Sequence, residues 1–496
     1  MSLSERLHAV LALEPQSCAI EYSRREYSWA YLGSIAAEID KRLNGAGIPR
    51  GKAVGLLGRN RPWHIGAMLA LFQTERCYVV INPLQPAAKL AEELQQLQLQ
   101  AVIADQEDWR VPGLIEAARA AGSFGLALCA NAETPVSTVR ELSTAGAGPH
   151  MQPLPGVAVQ MLTSGTTGVP KRITISTSML DKGVADGNRS ASKDQLVMKR
   201  SPTLVFAPIV NTSGVYSVML AMLSPRPVVL FEKFRVDDWV DAVRRHRPKV
   251  LSLLPTMITM VLDANVPKEL FEGVVAVQTS TAPLSPQAQQ AFEERYGVPI
   301  LIDYGATEFN GSVAALTLED RKQFGNSKLG SVGRARPNCE LRIVDPDTRN
   351  ELAPGEVGEL EVRSTRFSNG EWIRTNDLGS IDADGFLFLH GRADQAIIRG
   401  GFKVLPQKVI DVLKEHPLVL DAAVIARPDS RLGQVPIAAV EAYPGKQKPT
   451  VAELETHARE HLLPYQVPVE IKIVDELPRT VSMKVSLPGV KALFGV

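Results

Sequence analysis

The chain has 496 residues and carries 54 lysines and arginines against 54 aspartates and glutamates, so its formal net charge is zero. Hydrophobic residues make up 45% and charged residues 22%, which is ordinary for a globular enzyme. Balanced charge argues against electrostatic capture of nucleic acid or of an anionic membrane. The length predicts more than one domain and an ample hydrophobic core.

The cysteines and the N-terminus give a consistent picture of the compartment. Four cysteines are scattered without metal-ligand spacing: Cys18, Cys77, Cys129 and Cys339. We expect free thiols in a reducing environment. The first 17 residues carry Glu5 and Arg6 and no long apolar core, so no signal peptide is expected. No apolar run is long enough to span a membrane. A cytoplasmic protein, monomeric or homodimeric, is the expectation.

Near the start of the chain, short apolar runs predict three buried strands: AVGLLG (53–58), CYVVIN (77–82) and AVIAD (101–105). Between the last two runs, Leu90, Leu94 and Leu97 recur at helical spacing, while glutamines fill the opposite face. This alternation of strand and helix predicts a parallel sheet.

The next segment, LTSGTTGVPK (162–171), is the most informative stretch of the chain. Its hydroxyl side chains can donate to phosphate oxygens, its glycines allow a tight turn that brings backbone N–H groups to an anion, and its lysine adds a charge. It lacks the Gly-Lys-Ser/Thr ending of a Walker loop. The residues concerned are Thr163, Ser164, Gly165, Thr166, Thr167, Gly168 and Lys171. An ordinary surface turn is the alternative interpretation.

Further strands are predicted at 203–209, 227–232, 249–254, 273–280 and 299–305. The last of them runs into DYGATE (303–308), where an aromatic, a hydroxyl and a carboxylate follow an apolar strand. Ligands of open α/β sheets bind at the carboxyl ends of such strands.

From about residue 330 to 390 the pattern changes to short strands with many turns, as in a small distorted β-barrel. The last hundred residues mix the strands 421–427, 434–442 and 469–476 with two helices, which indicates a small α+β domain.

Five segments occur in one order: the 162–171 loop, DYGATE, TND (375–377), GRADQAIIRGG (391–401) and PRTVSMK (478–484). In sequence and order they resemble the adenylate-forming, AMP-binding enzymes, and among these the acyl-CoA synthetases. The stretches 330–345 and 355–364 are similar to the family as well. The resemblance covers essentially the whole chain and implies a large α/β N-terminal domain with doubly wound sheets and a small β-barrel, followed by a mobile α+β lid.

The resemblance implies an ATP/AMP site made of the 163–168 loop, Lys171 and four further residues: Tyr304, Gly305, Asp377 and Arg392. Tyr304 would stack on adenine, and Asp377 and Arg392 would hold the ribose. Thr307 would contact the α-phosphate and Glu308 would help to hold Mg²⁺. Asn376 departs from the family, which has glycine there.

The family pattern places the domain boundary at a hinge, Asp394, giving domains 1–393 and 394–496. It implies that Lys484 is the catalytic lysine of the lid, although Met483 replaces the usual glycine and Lys491 is a second candidate. After rotation of the lid, Gly400, Gly401 and Lys403 would face coenzyme A.

The acyl pocket departs most from the family. Asn211 stands where many members have a gating histidine. At 279–284 the chain reads TSTAPL, so Ser280 and Thr281 precede Ala282 where smaller residues are usual. These residues favour a narrower or hydrogen-bonding pocket.

The implied activity is ATP-dependent ligation of a fatty or aryl carboxylic acid to coenzyme A, with Mg²⁺. The main alternative is a stand-alone adenylating enzyme that loads a separate carrier protein. A luciferase-type oxidase and a non-catalytic nucleotide-binding protein are further alternatives. No nucleic-acid partner and no membrane span are expected.

Overall fold

The computed structural model describes residues 1–131, 133–152, 156–162, 172–181, 196–306, 309, 311–365, 367, 370–480 and 484–496. They divide into two compact units, one formed mainly by residues 1–251 and one mainly by residues 252–496. Within those ranges, no helix combines the length and the apolar character that crossing a membrane requires.

The first unit is built on eleven described strands. They are β1 (Cys18–Tyr22), β2 (Arg25–Ser28), β3 (Ala53–Leu57), β4 (Cys77–Ile81), β5 (Ala101–Asp105), β6 (Phe124–Leu128), β7 (Val136–Thr138), β8 (Val157–Leu162), β9 (Arg172–Ser176), β10 (Thr203–Val205) and β11 (Val228–Leu230). Seven form a sheet in the order β7-β6-β5-β3-β4-β8-β9, and four form a second sheet in the order β10-β11-β1-β2.

The larger sheet is parallel at its centre and antiparallel at its edges. The pairs β3–β4, β3–β5, β4–β8 and β5–β6 are parallel, whereas β7 and β9 run antiparallel to their neighbours. Every residue of β3, β4, β5 and β6 is buried. Continuous apolar runs are what a sheet covered on both faces requires. The predicted strands at 53–58, 77–82 and 101–105 are confirmed.

Helices α1 to α7 complete the first unit: α1 (Leu3–Leu13), α2 (Trp29–Gly45), α3 (Pro62–Gln73), α4 (Ala87–Leu97), α5 (Leu114–Ala120), α6 (Thr212–Leu223) and α7 (Val236–His246). Helix α3 is buried along its whole length. Helix α4 buries Leu90, Leu94 and Leu97, as their spacing predicts. Helix α1 begins at a capping box between Ser2 and Glu5, so the N-terminal segment is a folded helix.

The second unit begins within β12 (Val250–Ser252). Its other described strands are β13 (Ala276–Thr279), β14 (Ile300–Ala306), β15 (Gly311–Ala315), β16 (Arg334–Ala335), β17 (Glu340–Val344), β18 (Gly358–Arg363), β19 (Trp372–Ile381), β20 (Leu387–Arg392), β21 (Ile397–Arg399), β22 (Phe402–Val404), β23 (Val419–Asp429), β24 (Gly433–Ala442) and β25 (Ile471–Val474). Its helices are α8 (Pro255–Asp263), α9 (Pro286–Tyr296), α10 (Leu318–Phe324), α11 (Pro406–Glu415), α12 (Val451–His461) and α13 (Leu487–Phe494).

Three sheets organise these strands. The first has the order β12-β13-β14-β15-β16 and the second, antiparallel, has the order β17-β18-β19-β20. The third has the order β22-β21-β24-β23, with β25 parallel to β24. The change to short antiparallel strands after residue 330 is therefore confirmed, as are the strands predicted at 421–427, 434–442 and 469–476.

The C-terminal α+β region has a core of its own, in which α11 and α12 contribute Val409, Leu413 and Leu454 and the sheet contributes Val424 and Val440. A separate apolar cluster on the same sheet includes Leu477 and Val490. This region is thus organised around its own buried side chains, as expected of a small domain.

Candidate active site

Strand β14 carries the first group of predicted site residues to its carboxyl end. The antiparallel register with β15 shifts between Tyr304 and Gly305. A Cβ at position 305 would collide with the backbone of Gly311 on β15, so only glycine permits this approach. Tyr304 is half-buried, and its ring meets Phe309 edge-on at a centroid distance of 6.4 Å.

Tyr304, Asp377 and Arg392 form one hydrogen-bonded cluster. The Tyr304 hydroxyl donates to Asp377 Oδ2, and Arg392 Nη1 donates to Asp377 Oδ1 at 3.4 Å. Asp377 on β19 and Arg392 on β20 are direct register partners, so the sheet itself sets this pairing. Three residues predicted for the nucleotide site are therefore brought together.

Asp394 completes the cluster from the following turn. Arg392 Nε donates to Asp394 Oδ1 at 3.0 Å and Nη2 donates to Oδ2 at 2.9 Å, a bidentate pair. This pairing raises the pKa of Arg392 above its usual value. Burial, followed by the charge of Asp377 and the hydrogen bond to it, raises the pKa of Tyr304, which therefore stays a neutral donor at physiological pH.

The turn before Asp377 accommodates the departure at position 376. Asn376 has φ +60°, a left-handed conformation that asparagine tolerates better than most residues. Thr375 Oγ1 accepts the Asp377 N–H at 2.9 Å and donates to the Leu360 carbonyl at 2.9 Å. Asn376 thus adopts a backbone conformation that glycine also favours, and Thr375 fixes the backbone of Asp377.

Ser280, predicted for the acyl pocket, lies beside a carboxylate that sequence reasoning missed. Strands β13 and β14 are parallel with Thr279 opposite Ile302, so Ser280 and Asp303 follow side by side. Burial raises the pKa of Asp303 to about 6, which Arg336 and the hydrogen bond with Ser280 only partly offset. The signal in the sequence was a lone acid that ends the apolar run PILI just before Tyr304.

The neighbouring turn is strained. Thr281 has φ +75°, which is unfavourable for a β-branched residue, and its side chain is exposed, whereas Ala282 is half-buried. The Thr279 hydroxyl is buried and has no hydrogen-bond partner among the described residues. The strained backbone of Thr281 and the unpaired hydroxyl of Thr279 both cost free energy of folding. A turn with only a structural role would not need either feature.

Asn211, the other predicted pocket residue, belongs to the first unit. It is the N-cap of α6, but its side chain makes no capping hydrogen bond. Its Nδ2 is buried without a partner in the described structure. A buried, unsatisfied amide donor is unusual, because each one costs about 1–3 kcal/mol.

The residues predicted to face coenzyme A lie on the β21–β22 hairpin. Gly400 and Gly401 have φ +57° and +87°, so both occupy the left-handed region that glycine favours. Lys403 is exposed. Arg399, by contrast, is committed to structure, since its Nη1 donates to the carbonyls of Tyr465 and Val467 at 2.9 and 3.1 Å.

Lys484 lies in a hairpin whose other side is Arg479 and Thr480. The Thr480 N–H donates to the Lys484 carbonyl at 2.7 Å, and Arg479 bridges to Val485. Arg479, which sequence reasoning left without a role, donates to Asp421 at 2.9 Å and Glu441 at 2.8 Å. The second candidate, Lys491, is exposed on α13.

Part of the predicted phosphate and metal site lies outside the described residues. These residues are Thr163, Ser164, Gly165, Thr166, Thr167, Gly168, Lys171, Thr307 and Glu308. The four cysteines are all free, as expected.

Comparison with known proteins identifies the family. Residues 7–372 match the model of the AMP-binding enzyme family, and residues 409–484 match the AMP-binding enzyme C-terminal domain. The chain belongs to the AMP-binding enzyme family. Tyr304 lies within the first match, whereas Asp377, Arg392 and Asp394 lie after its last residue. Lys484 is the last residue of the second match.

Relatives of this family member align over nearly the whole chain. An indoleacetate–CoA ligase of Aromatoleum aromaticum is 27% identical over 99% of this chain and 98% of its own length. A 2-succinylbenzoate–CoA ligase of Bacillus pumilus is 28% identical, covering 96% and 95%. Among solved structures, ATP-bound MatB from Rhodopseudomonas palustris has a TM-score of 0.81 at 23% identity, covering 100% of this chain and 99% of that one. This likeness establishes the fold.

Proposed function

We propose that this AMP-binding enzyme is an ATP-dependent carboxylic acid–CoA ligase that acts on an aryl acid. The observation that carries the proposal is the Tyr304–Asp377–Arg392 cluster, which presents an aromatic ring and a fixed carboxylate in a chain that aligns end to end with acid–CoA ligases. Both relatives named above act on acids that contain an aromatic ring.

The first step makes an acyl-adenylate. A carboxylate is a poor electrophile, so one of its oxygens attacks the α-phosphorus of ATP and pyrophosphate leaves. Asp377 would accept hydrogen bonds from the ribose hydroxyls while the Tyr304 ring faces the base. Lys484 would offset negative charge that develops at the α-phosphate, where a positioned cation is most effective. Mg²⁺, for which Glu308 is the predicted ligand, supplies further charge compensation when bound.

The second step transfers the acyl group to sulfur. The thiol of coenzyme A attacks the acyl carbonyl, its proton is lost to solvent, and AMP departs with the electron pair of the broken bond. The Gly400–Gly401 turn would let a narrow pantetheine arm pass close to the backbone. In this proposal residues 1–393 hold the adenylate and residues 394–496 act as the lid, with Asp394 at the hinge.

Substrate choice would depend on the polar residues where β13 and β14 lie side by side. Ser280 and Asp303 present a hydroxyl and a buried carboxyl, and both can accept a hydrogen bond. We expect aryl acids with a ring hydroxyl or amino group to be preferred over unsubstituted ones, because an analogue without the donor cannot make a hydrogen bond to these acceptors. Asn211, Thr281 and Ala282 are further proposed pocket residues.

A panel of carboxylic acids tests the function. Purified protein with ATP, Mg²⁺ and coenzyme A should release pyrophosphate and form a thioester, detected by mass spectrometry, with aryl acids in preference to alkyl acids of similar size. Transfer to a phosphopantetheinyl carrier protein, with coenzyme A inert, would favour the carrier-loading alternative. Absence of ATP–pyrophosphate exchange with every acid would contradict the proposal.

A further inference from the structure

The last turn of α12 carries three side chains of metal-binding type on one face. His457, Glu460 and His461 stand at positions i, i+3 and i+4, which lie on the same side of a helix. Each offers one ligand atom, and these atoms lie within 4.8 Å of one another. Tetrahedral bonds of about 2.1 Å would need these atoms about 3.4 Å apart, which small rotations of the exposed Glu460 and His461 could supply.

Hydrogen bonds to backbone carbonyls orient both imidazoles. His461 Nδ1 lies 2.9 Å from the His457 carbonyl, and His457 Nε2 lies 2.9 Å from the Val412 carbonyl on α11. A carbonyl only accepts, so each of these nitrogens must carry the proton. The other nitrogen of each ring then has a free lone pair, which is the second-shell arrangement that metal-binding histidines use.

The neighbouring groups shape the site without competing for the ion. His416 packs edge-on against His457 at a centroid distance of 5.4 Å, and its Nδ1 accepts the Leu418 N–H at 3.4 Å. Glu453 is held by the N-terminal cap of α12, where it accepts from Thr450. With these two residues, His457 and Glu460 line a shallow surface depression.

We propose that His457, Glu460 and His461 bind one Zn²⁺ ion, with water as the fourth ligand. Two imidazoles and one carboxylate form a ligand set that suits zinc. The site also lies at a helix C-terminus, where the helix dipole favours a cation. It is independent of the nucleotide site and of the proposed ligase activity.

The ion would also restrict a side chain that links two helices. Because His457 already donates to the end of α11, a metal on its other nitrogen fixes the ring between α11 and α12. Binding to the folded form alone should therefore raise thermal stability, and above the Kd the gain should grow with the logarithm of the free zinc concentration.

Titration of the full chain with ZnCl₂ tests the site. Metal-free protein, prepared with a chelator, should bind one Zn²⁺ per chain by calorimetry at pH 7.5, and its melting temperature should rise with added zinc. His461→Ala and Glu460→Gln, both at exposed positions, should each weaken binding at least tenfold.

His8→Ala is the matched control. His8 is exposed and bonds its Nδ1 to the Ser4 carbonyl at 2.8 Å, the same local arrangement as His461 but outside the cluster. It should leave zinc affinity unchanged. The proposal is overturned if His461→Ala and Glu460→Gln bind zinc as tightly as the parent, if His8→Ala weakens binding equally, or if no saturable site is seen.

Discussion

At the scale of single residues, Asp377 is held by hydrogen bonds to three other residues of the described site. Its two carboxylate oxygens accept from side chains on two other strands, and its own N–H is held by Thr375. A bound ribose would have to share or displace the Tyr304 hydroxyl at Oδ2. In the proposed nucleotide site the Tyr304 hydroxyl would therefore act as a placeholder that keeps the carboxylate hydrogen-bonded before the nucleotide arrives.

Replacing Asp377 separates these roles. Asp377→Ala should weaken ATP binding by about 2 kcal/mol, roughly 30-fold, because it removes charge-assisted hydrogen bonds to the ribose. Tyr304→Phe removes only the placeholder hydroxyl and should change ATP affinity by less than about fivefold. Calorimetry with ATP measures both. Equal losses in the two variants would mean that Asp377 acts only through Tyr304.

Asp303 makes stability depend on pH. Its folded-state pKa of about 6 lies above the ordinary 3.8, so the folded protein binds this proton more tightly than the unfolded chain does. The associated stability is fully present below about pH 4 and is lost as pH rises through 6. Asp303→Asn should therefore stabilise the protein at pH 7.5 by on the order of 3 kcal/mol and have little effect at pH 4.

Thermal melts across this pH range measure the effect. Asp347→Asn, at an exposed turn position, is the control and should shift the melting temperature little at either pH. If Asp303→Asn destabilises the protein equally at pH 4 and pH 7.5, the Asp303 carboxyl does not make the free energy of unfolding depend on pH.

At the scale of elements, Arg479 ties the hairpin bearing Lys484 to the C-terminal sheet by ion pairs. Arg479 bonds Asp421 on β23 and Glu441 on β24, and the three side chains are only 8–13% exposed. Lys414 of α11 also reaches Asp421, at 3.2 Å. The backbone that pairs with Lys484 and Val485 is thus held to the sheet by an ion-pair network.

Removing the Arg479 ion pairs should destabilise the C-terminal sheet. Arg479→Ala leaves two buried carboxylates short of a partner, which commonly costs about 3–5 kcal/mol. Native-state hydrogen exchange in β23 and β24 should accelerate accordingly. Arg459→Ala, at a 68% exposed position 3.9 Å from Glu455, should have almost no effect. Unchanged exchange after Arg479→Ala would show that the network does not hold the hairpin.

At the scale of the whole molecule, the two proposed half-reactions would use one nucleotide site but would differ in their need for Lys484. Lys484 should serve adenylation alone, because its charge is needed only while negative charge accumulates at the α-phosphate. Lys484→Ala should slow ATP–pyrophosphate exchange by about 10²–10³-fold. With synthetic acyl-adenylate and coenzyme A, thioester formation should stay close to the parent rate.

Lys491→Ala is the companion variant and should retain exchange. Full exchange in Lys484→Ala, with loss in Lys491→Ala, would transfer the role to Lys491. Loss of both half-reactions in Lys484→Ala would indicate a general folding or binding defect.

The sequence predicted where many strands and site motifs lie along the chain. It did not predict which strands lie side by side. Apolar runs and family motifs located β3, β4, β5 and β14, and the same motifs pointed to Tyr304, Asp377 and Arg392. The Ser280–Asp303 pair and the Arg479 network went unpredicted, because each depends on which strands lie side by side. The hairpin of β1 and β2 was missed for the same reason, since its partner β11 lies about 200 residues later.

The position of β8 beside β4 has a consequence during synthesis. Strand β4 is entirely apolar and buried, yet the neighbour that covers its outer edge is translated only after residues 82–156. At about 5–20 residues per second the nascent chain carries this open edge for roughly 4–15 seconds. Strand edges of that kind pair readily with other chains. Holdase chaperones at the ribosome would therefore find a target in this half of the protein, well before any residue of the second unit has been made.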